Sequence, residues 1–172
     1  YTQPNEVIYR EETDPVPGEG EALVRVDAVG ICGSDMHAYL GHDDRRPPPL
    51  ILGHEACGTV QNGSFAGKRV TLNPLVTCGT CEACREGRTN LCAEREIISM
   101  PPRQGAFAEY LRIPEHNLIE LPGDMDPAIA ALSEPVATAW HAVGVGERHS
   151  WRTPETTRAL VIGGGSVGLS AA

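Results

Sequence analysis

The stretch CGTCEACREGRTNLC, residues 78 to 92, gathers four of the chain's six cysteines into one short, polar, glycine-containing run. Cys78, Cys81, Cys84 and Cys92 are spaced C-x2-C-x2-C-x7-C. Four thiolates suit a closed tetrahedral zinc site, because soft sulfur ligands fill every position and leave none for water or substrate. Such a site is structural, and Arg85 and Arg88 lie close enough in sequence to offset part of its negative charge. The competing readings are a disulfide pair, idle thiols, or an iron centre. In a reducing compartment clustered thiols are metal ligands more often than disulfides.

A chain of 172 residues, 41% of them hydrophobic, can bury one ordinary core and part of a second without covalent staples. Its 23 acidic residues against 14 basic ones give a net charge of −9, which argues against nucleic acid or an anionic membrane as partner and is compatible with a small neutral substrate. The opening YTQPNEVIYREE has no apolar run of the signal type. The most apolar stretch, PAIAALSEPVATAWHAVGV, is interrupted by Glu134, Pro135 and His141, which disqualifies it as a membrane span. The expected location is the cytoplasm.

Residues 22–29 (ALVRVDAV) alternate, with Val24, Val26 and Ala28 on one face and Arg25 and Asp27 on the other, the period of a half-buried strand. Short strands are expected at 56–60, 68–72, 106–113 and 117–121, bounded by Gly, Pro and Asn. The pattern then turns helical. Asp126 can cap a helix with Pro127 at its first position, ending before Pro135, which opens a second helix through His141, closed near Gly144. Glu134 falls at the break, where the backbone can aim a side chain. Residues 146–158 read as a polar connector.

The last residues, ALVIGGGSVGLSAA, read as a buried strand leading into Gly163, Gly164, Gly165, Ser166, Val167 and Gly168, a G-x-G-x-x-G turn. Its glycines let backbone N–H groups approach a pyrophosphate at the start of a helix. The residue about 20 positions on that would read a ribose lies beyond the sequence.

A second, less conspicuous set of ligands is scattered. Cys32 follows the strand 22–29, and His54 and Glu55 stand at the start of the next. Cysteine, histidine and a carboxylate from separate segments are the ligand types of a catalytic zinc, which takes three protein ligands and keeps one position open. Glu134 is the natural third ligand, and Glu55 competes with it. Cys57 reads as core, and His42, His116, His141 and His149 as surface or packing residues.

Taken in order, GICGSDMH, LGHEACGTV, GKRV, the four-cysteine lobe, GAFAEY, SEPVATAWHAV and VIGGGSVG resemble the zinc-dependent medium-chain alcohol and polyol dehydrogenases over nearly the whole chain. Ser34 and Glu134 are more similar to the sorbitol, threonine and sugar-alcohol branch. The resemblance implies a β-rich GroES-like catalytic domain, a partly open barrel with a structural zinc lobe, over residues 1–145. It also implies a connector over 146–158, and over 159–172 the first strand and turn of an α/β Rossmann domain. It implies that Cys32 and His54 hold a catalytic zinc completed by Glu134 or Glu55, and that Asp35 hydrogen-bonds the far nitrogen of His54 and fixes its tautomer. Ser34 would contact the substrate oxygen and pass its proton to His37. Thr138 would lie against the nicotinamide of NAD or NADP, with the dinucleotide held by Gly163, Gly165, Ser166, Val167 and Gly168. The implied reaction is hydride transfer from a secondary alcohol of a polyol, made acidic by zinc, in a homodimer or homotetramer at full length.

Two departures stand out. QNGSFA, between GTV and GKRV, is shorter than is usual, and the remainder of the dinucleotide domain with the return to the barrel is missing. The 172-residue chain is therefore expected to be inactive alone. The rival reading is a non-catalytic zinc-binding GroES-like module.

Overall fold

The computed structural model describes residues 1–150, 153 and 156–172. In chain order its elements are β1 (Glu21–Gly30), α1 (Gly33–Tyr39), β2 (Glu55–Val60), β3 (Arg69–Leu72), β4 (Leu75–Val76), α2 (Glu82–Arg85), β5 (Glu96–Ile97), β6 (Tyr110–Pro114), β7 (Leu118–Glu120), α3 (Pro127–Ala130), α4 (Ser133–His149) and α5 (Ser166–Ala171). Five strands form one antiparallel sheet in the order β6-β1-β2-β3-β7, and β4 and β5 pair separately.

The alternation expected for β1 holds where it is paired on both sides. Ala22 and Val24 are fully buried while Arg25 and Asp27 face out. It slips at Asp27, because Val26 pairs with Gly58 and Ala28 with Cys57, leaving one extra residue in β1. Such a bulge bends the strand and re-aims the residues beyond it. Past this point Gly30 lies opposite Glu55, so the end of β1 and the start of β2 arrive together. Under the sheet, Val24, Val60, Val70, Ile98, Leu111 and Ile113 belong to one buried apolar cluster.

The strand expected at 106–113 begins only at Tyr110. Its front part is drawn instead to the loop before β2, where Ala106 N–H donates to Gly53 O (2.8 Å) and Phe107 N–H to Leu52 O (2.9 Å). Below, the cysteine lobe is anchored at its root. The buried Asn117 amide donates to the carbonyls of Asn73 and Leu75, each at 2.8 Å, and Arg103 bridges Glu96 of β5 and Glu21 of β1.

Asp126 caps α3 as expected, its Oδ1 accepting from Ala128 N–H at 2.8 Å. The second helix differs. It starts at Ser133 and runs to His149, past Gly144 and Gly146 and into the first residues expected as connector. Pro135 sits in the first turn, where its missing N–H has no helical partner to lose, and a helical glycine costs only about 1 kcal/mol. The connector reading also covers residues 151, 152, 154 and 155, which lie outside the described residues.

The buried strand expected before the glycine-rich turn is not formed. Residues 157–164 carry no strand or helix, and Leu160 and Ile162 are 84% and 90% exposed. A strand of a parallel sheet needs partners and helices over both faces, and among the described residues no strand pairs with this segment. The turn itself is tight, since a Cβ on Gly168 would lie 2.1 Å from Gly163 O. The adjoining helix α5 packs against α4. Among the described residues no helix is long and apolar enough to cross a membrane.

Candidate metal centres

The four cysteines of the lobe converge. Their sulfurs all lie within 4.8 Å of one another, with Cys78 to Cys92 at 3.6 Å and Cys78 to Cys84 at 4.0 Å. A tetrahedral zinc with Zn–S bonds of about 2.3 Å spaces its sulfurs by roughly 3.8 Å. A disulfide needs about 2.05 Å, and all four thiols are free. N–H groups of Thr80 and Cys81 lower the Cys78 thiol to about 6, whereas burial and then the neighbouring thiols push Cys84 up to about 11. A divalent cation among the four sulfurs would favour the Cys84 thiolate against that rise. The lobe fits a closed zinc site.

The second cluster is assembled by strand pairing. Cys32 is the residue before α1, immediately after β1, and His54 and Glu55 stand at the head of β2. One ligand atom from each lies within 4.8 Å of the other two. His54 and Glu55 are buried and Cys32 half-buried. Gly53 makes the approach possible: it has φ +93°, and a Cβ there would meet the Phe107 ring at 2.7 Å. A soft thiolate, an imidazole and a carboxylate, with no fourth protein ligand in the group, fit an open zinc site.

Asp35 underlies this cluster, 2% exposed. Its carboxylate accepts from Cys32 N–H (3.0 Å) and Gly53 N–H (3.1 Å), and its Oδ1 lies 3.6 Å from His54 Nδ1. That separation is slightly long for a hydrogen bond, and buried Nδ1 has no other partner. Burial pushes the Asp35 carboxyl up, but the His54 ring and the two N–H groups outweigh it and leave it below the usual value. Ser34 Oγ lies 3.5 Å from Nε2 on the other side of the ring. His37, three residues on in α1 and exposed, stands 6.4 Å from His42 between ring centres.

Glu134 occupies the first turn of α4, just past the break where it was expected. It is not part of the three-residue group. Burial raises its carboxyl pKa, opposed by the His54 charge, with Glu55 raising it further and a Thr138 hydrogen bond lowering it. Thr138 is otherwise exposed, one turn on. Gly163 and Gly165 precede α5, and Ser166, Val167 and Gly168 lie within it. Cys57 is buried in the sheet, its thiol donating to Pro127 O at 3.2 Å.

Two residues near this centre carry no mark in the sequence. Arg46 is a buried arginine, and Ser99 is fully buried with φ +68°. Nothing in RRPPP marks Arg46 for burial, and a positive φ at serine is imposed by packing.

Residues 18–123, more than half of the chain, match the alcohol dehydrogenase GroES-like domain, and the chain belongs to that family. It is 39% identical to the L-galactonate-5-dehydrogenase of Escherichia coli K12 over 99% of this chain and 50% of that protein. To the sorbitol dehydrogenase of Bacillus subtilis it is 40% identical over 93% and 47%. Among solved structures, the galactitol-1-phosphate dehydrogenase of Escherichia coli superposes with a TM-score of 0.87 at 29% identity, covering 99% of this chain and 49% of that one. The alcohol dehydrogenase RspB of Escherichia coli CFT073, solved with NADH, gives 0.87 at 32%, covering 99% and 50%. The chain spans about half the length of the curated relatives it matches.

Proposed function

We propose that this chain is the catalytic-domain portion of a zinc-dependent, NAD(P)-linked dehydrogenase acting on a secondary alcohol of a polyol or related compound. The observation that carries this reading is the convergence of Cys32, His54 and Glu55 within 4.8 Å, with Ser34 Oγ 3.5 Å from the histidine. A module that only needed a scaffold metal would be served by the four-cysteine lobe alone.

Cys32, His54 and Glu55 are the ligands of the open centre, and Cys78, Cys81, Cys84 and Cys92 those of the closed one. A zinc held by these three residues would supply Lewis acidity to an alcohol hydroxyl, and a bound nicotinamide would supply the hydride acceptor. The protein's own contribution is charge, orientation and a proton path. The Cys32 thiolate and Glu55 carboxylate balance a divalent charge, and Asp35 holds the His54 ring from behind. Ser34 takes the substrate's proton and hands it to His37, whose exposure opens the path to solvent. Glu134 stands in the first turn of α4; Thr138 would contact a bound nicotinamide, and the turn from Gly163 to Gly168 would hold the dinucleotide. The acidic net charge supports a small-molecule substrate rather than nucleic acid, in a cytoplasmic dimer or tetramer.

The test joins this chain to the second half of the Bacillus subtilis sorbitol dehydrogenase and follows polyol-dependent reduction of NAD and NADP. Ser34→Ala is expected to lower turnover by about 100-fold or more with zinc content unchanged. Unchanged turnover removes Ser34 from the relay, and activity that survives Cys32→Ser refutes the site.

A further inference from the structure

Behind the open centre lies a buried polar connection to which no role is yet attached. Arg46 is 5% exposed, and such a cation is costly to bury unless paired and hydrogen-bonded. Asp43 pairs with it through one guanidinium nitrogen. Its Nε donates elsewhere, at 3.0 Å, to the carbonyl of Ser99, more than fifty residues away in sequence. Ser99 is fully buried at φ +68°, a conformation that serine adopts only when its surroundings enforce it. From there its hydroxyl reaches Asp35 Oδ1 at 3.5 Å, the oxygen that also accepts from Gly53 N–H and faces His54 Nδ1.

We infer that Ser99, held in place by Arg46, is a positioning residue for the Cys32, His54 and Glu55 centre: it steadies the Asp35 carboxylate and, through it, the His54 ring. The inference rests on the proposed function, since it supposes that this centre takes a metal. Arg46 fixes the backbone of Ser99 and the hydroxyl does the rest. Groups behind a metal-bound histidine typically change metal affinity by 10- to 100-fold.

The discriminating variant is Ser99→Gly, because glycine tolerates the left-handed backbone while the hydroxymethyl side chain that reaches Asp35 is lost. Zinc affinity of the purified chain is measured by competition with a chromophoric chelator, using Cys32→Ser to assign the open site. The expected result is two zinc ions per chain in the unmutated protein and an affinity about tenfold weaker in Ser99→Gly, at the Cys32-dependent site alone. Arg46→Lys, which keeps the charge beside Asp43 but loses the Nε donor, is expected to weaken the same site. Unchanged affinity in Ser99→Gly overturns the inference and leaves the proposed function standing. Equal weakening at both sites means a general lesion of the fold and overturns it too. A single zinc per chain, confined to the four cysteines, overturns both.

Discussion

Asp43 shows how one residue's titration reports on the loop behind the centre. The Arg45 side chain, opposed by burial and then aided by the Arg45 N–H and by Arg46, holds its carboxyl down at about 2. A folded pKa below the unfolded one of about 3.9 contributes stability that is fully present above that value and lost as pH falls towards 2. Asp43→Asn is therefore expected to cost about 1 kcal/mol at pH 7, allowing for solvent screening, and almost nothing at pH 2. Denaturant melts at the two pH values check this, and a gap that stays constant would contradict it. At this scale the sequence is informative where chemistry marks the residue. Cys32 and His54 could be picked out, with the third place left between Glu134 and Glu55, because these ligand types are uncommon together. Arg46 and Ser99 could not, because burial of the one and the positive φ of the other are created by chain segments far away in sequence.

At the scale of elements, the open centre depends on one pairing: Gly30 opposite Glu55, reached after the bulge at Asp27. Gly53 guards the approach, since its left-handed backbone and the Phe107 ring leave no room for a side chain. Gly53→Ala is expected to lower stability by about 1–3 kcal/mol. Adding Phe107→Ala should recover only part of that, because the clash is relieved and the backbone strain is not. Full recovery in thermal melts of the double variant would contradict the strain argument. The Asp126 cap and the strands of the sheet, other than the front of 106–113, were legible because local pattern and tertiary packing agree there. The reach of α4 was not, because its two glycines weaken a helix without ending it. Nor was the fate of ALVIGGG, whose apolar pattern specifies a strand only in the company of neighbouring strands.

Across the molecule, two clusters of metal-ligating side chains stand among the described residues. The sulfurs of four cysteines converge in a lobe rooted on the sheet, and ligand atoms of Cys32, His54 and Glu55 converge beside Ser34; on the proposed function the first group closes one zinc centre and the second leaves another open. Family membership rests on residues 18–123; the catalytic reading rests on the second cluster. Metal analysis combined with anomalous diffraction at the zinc edge tests it most directly. The prediction is two zinc ions per chain, one among Cys78, Cys81, Cys84 and Cys92 and one bonded to Cys32 and His54 with Glu55 as third ligand. One zinc per chain, with no anomalous density between Cys32 and His54, would contradict it.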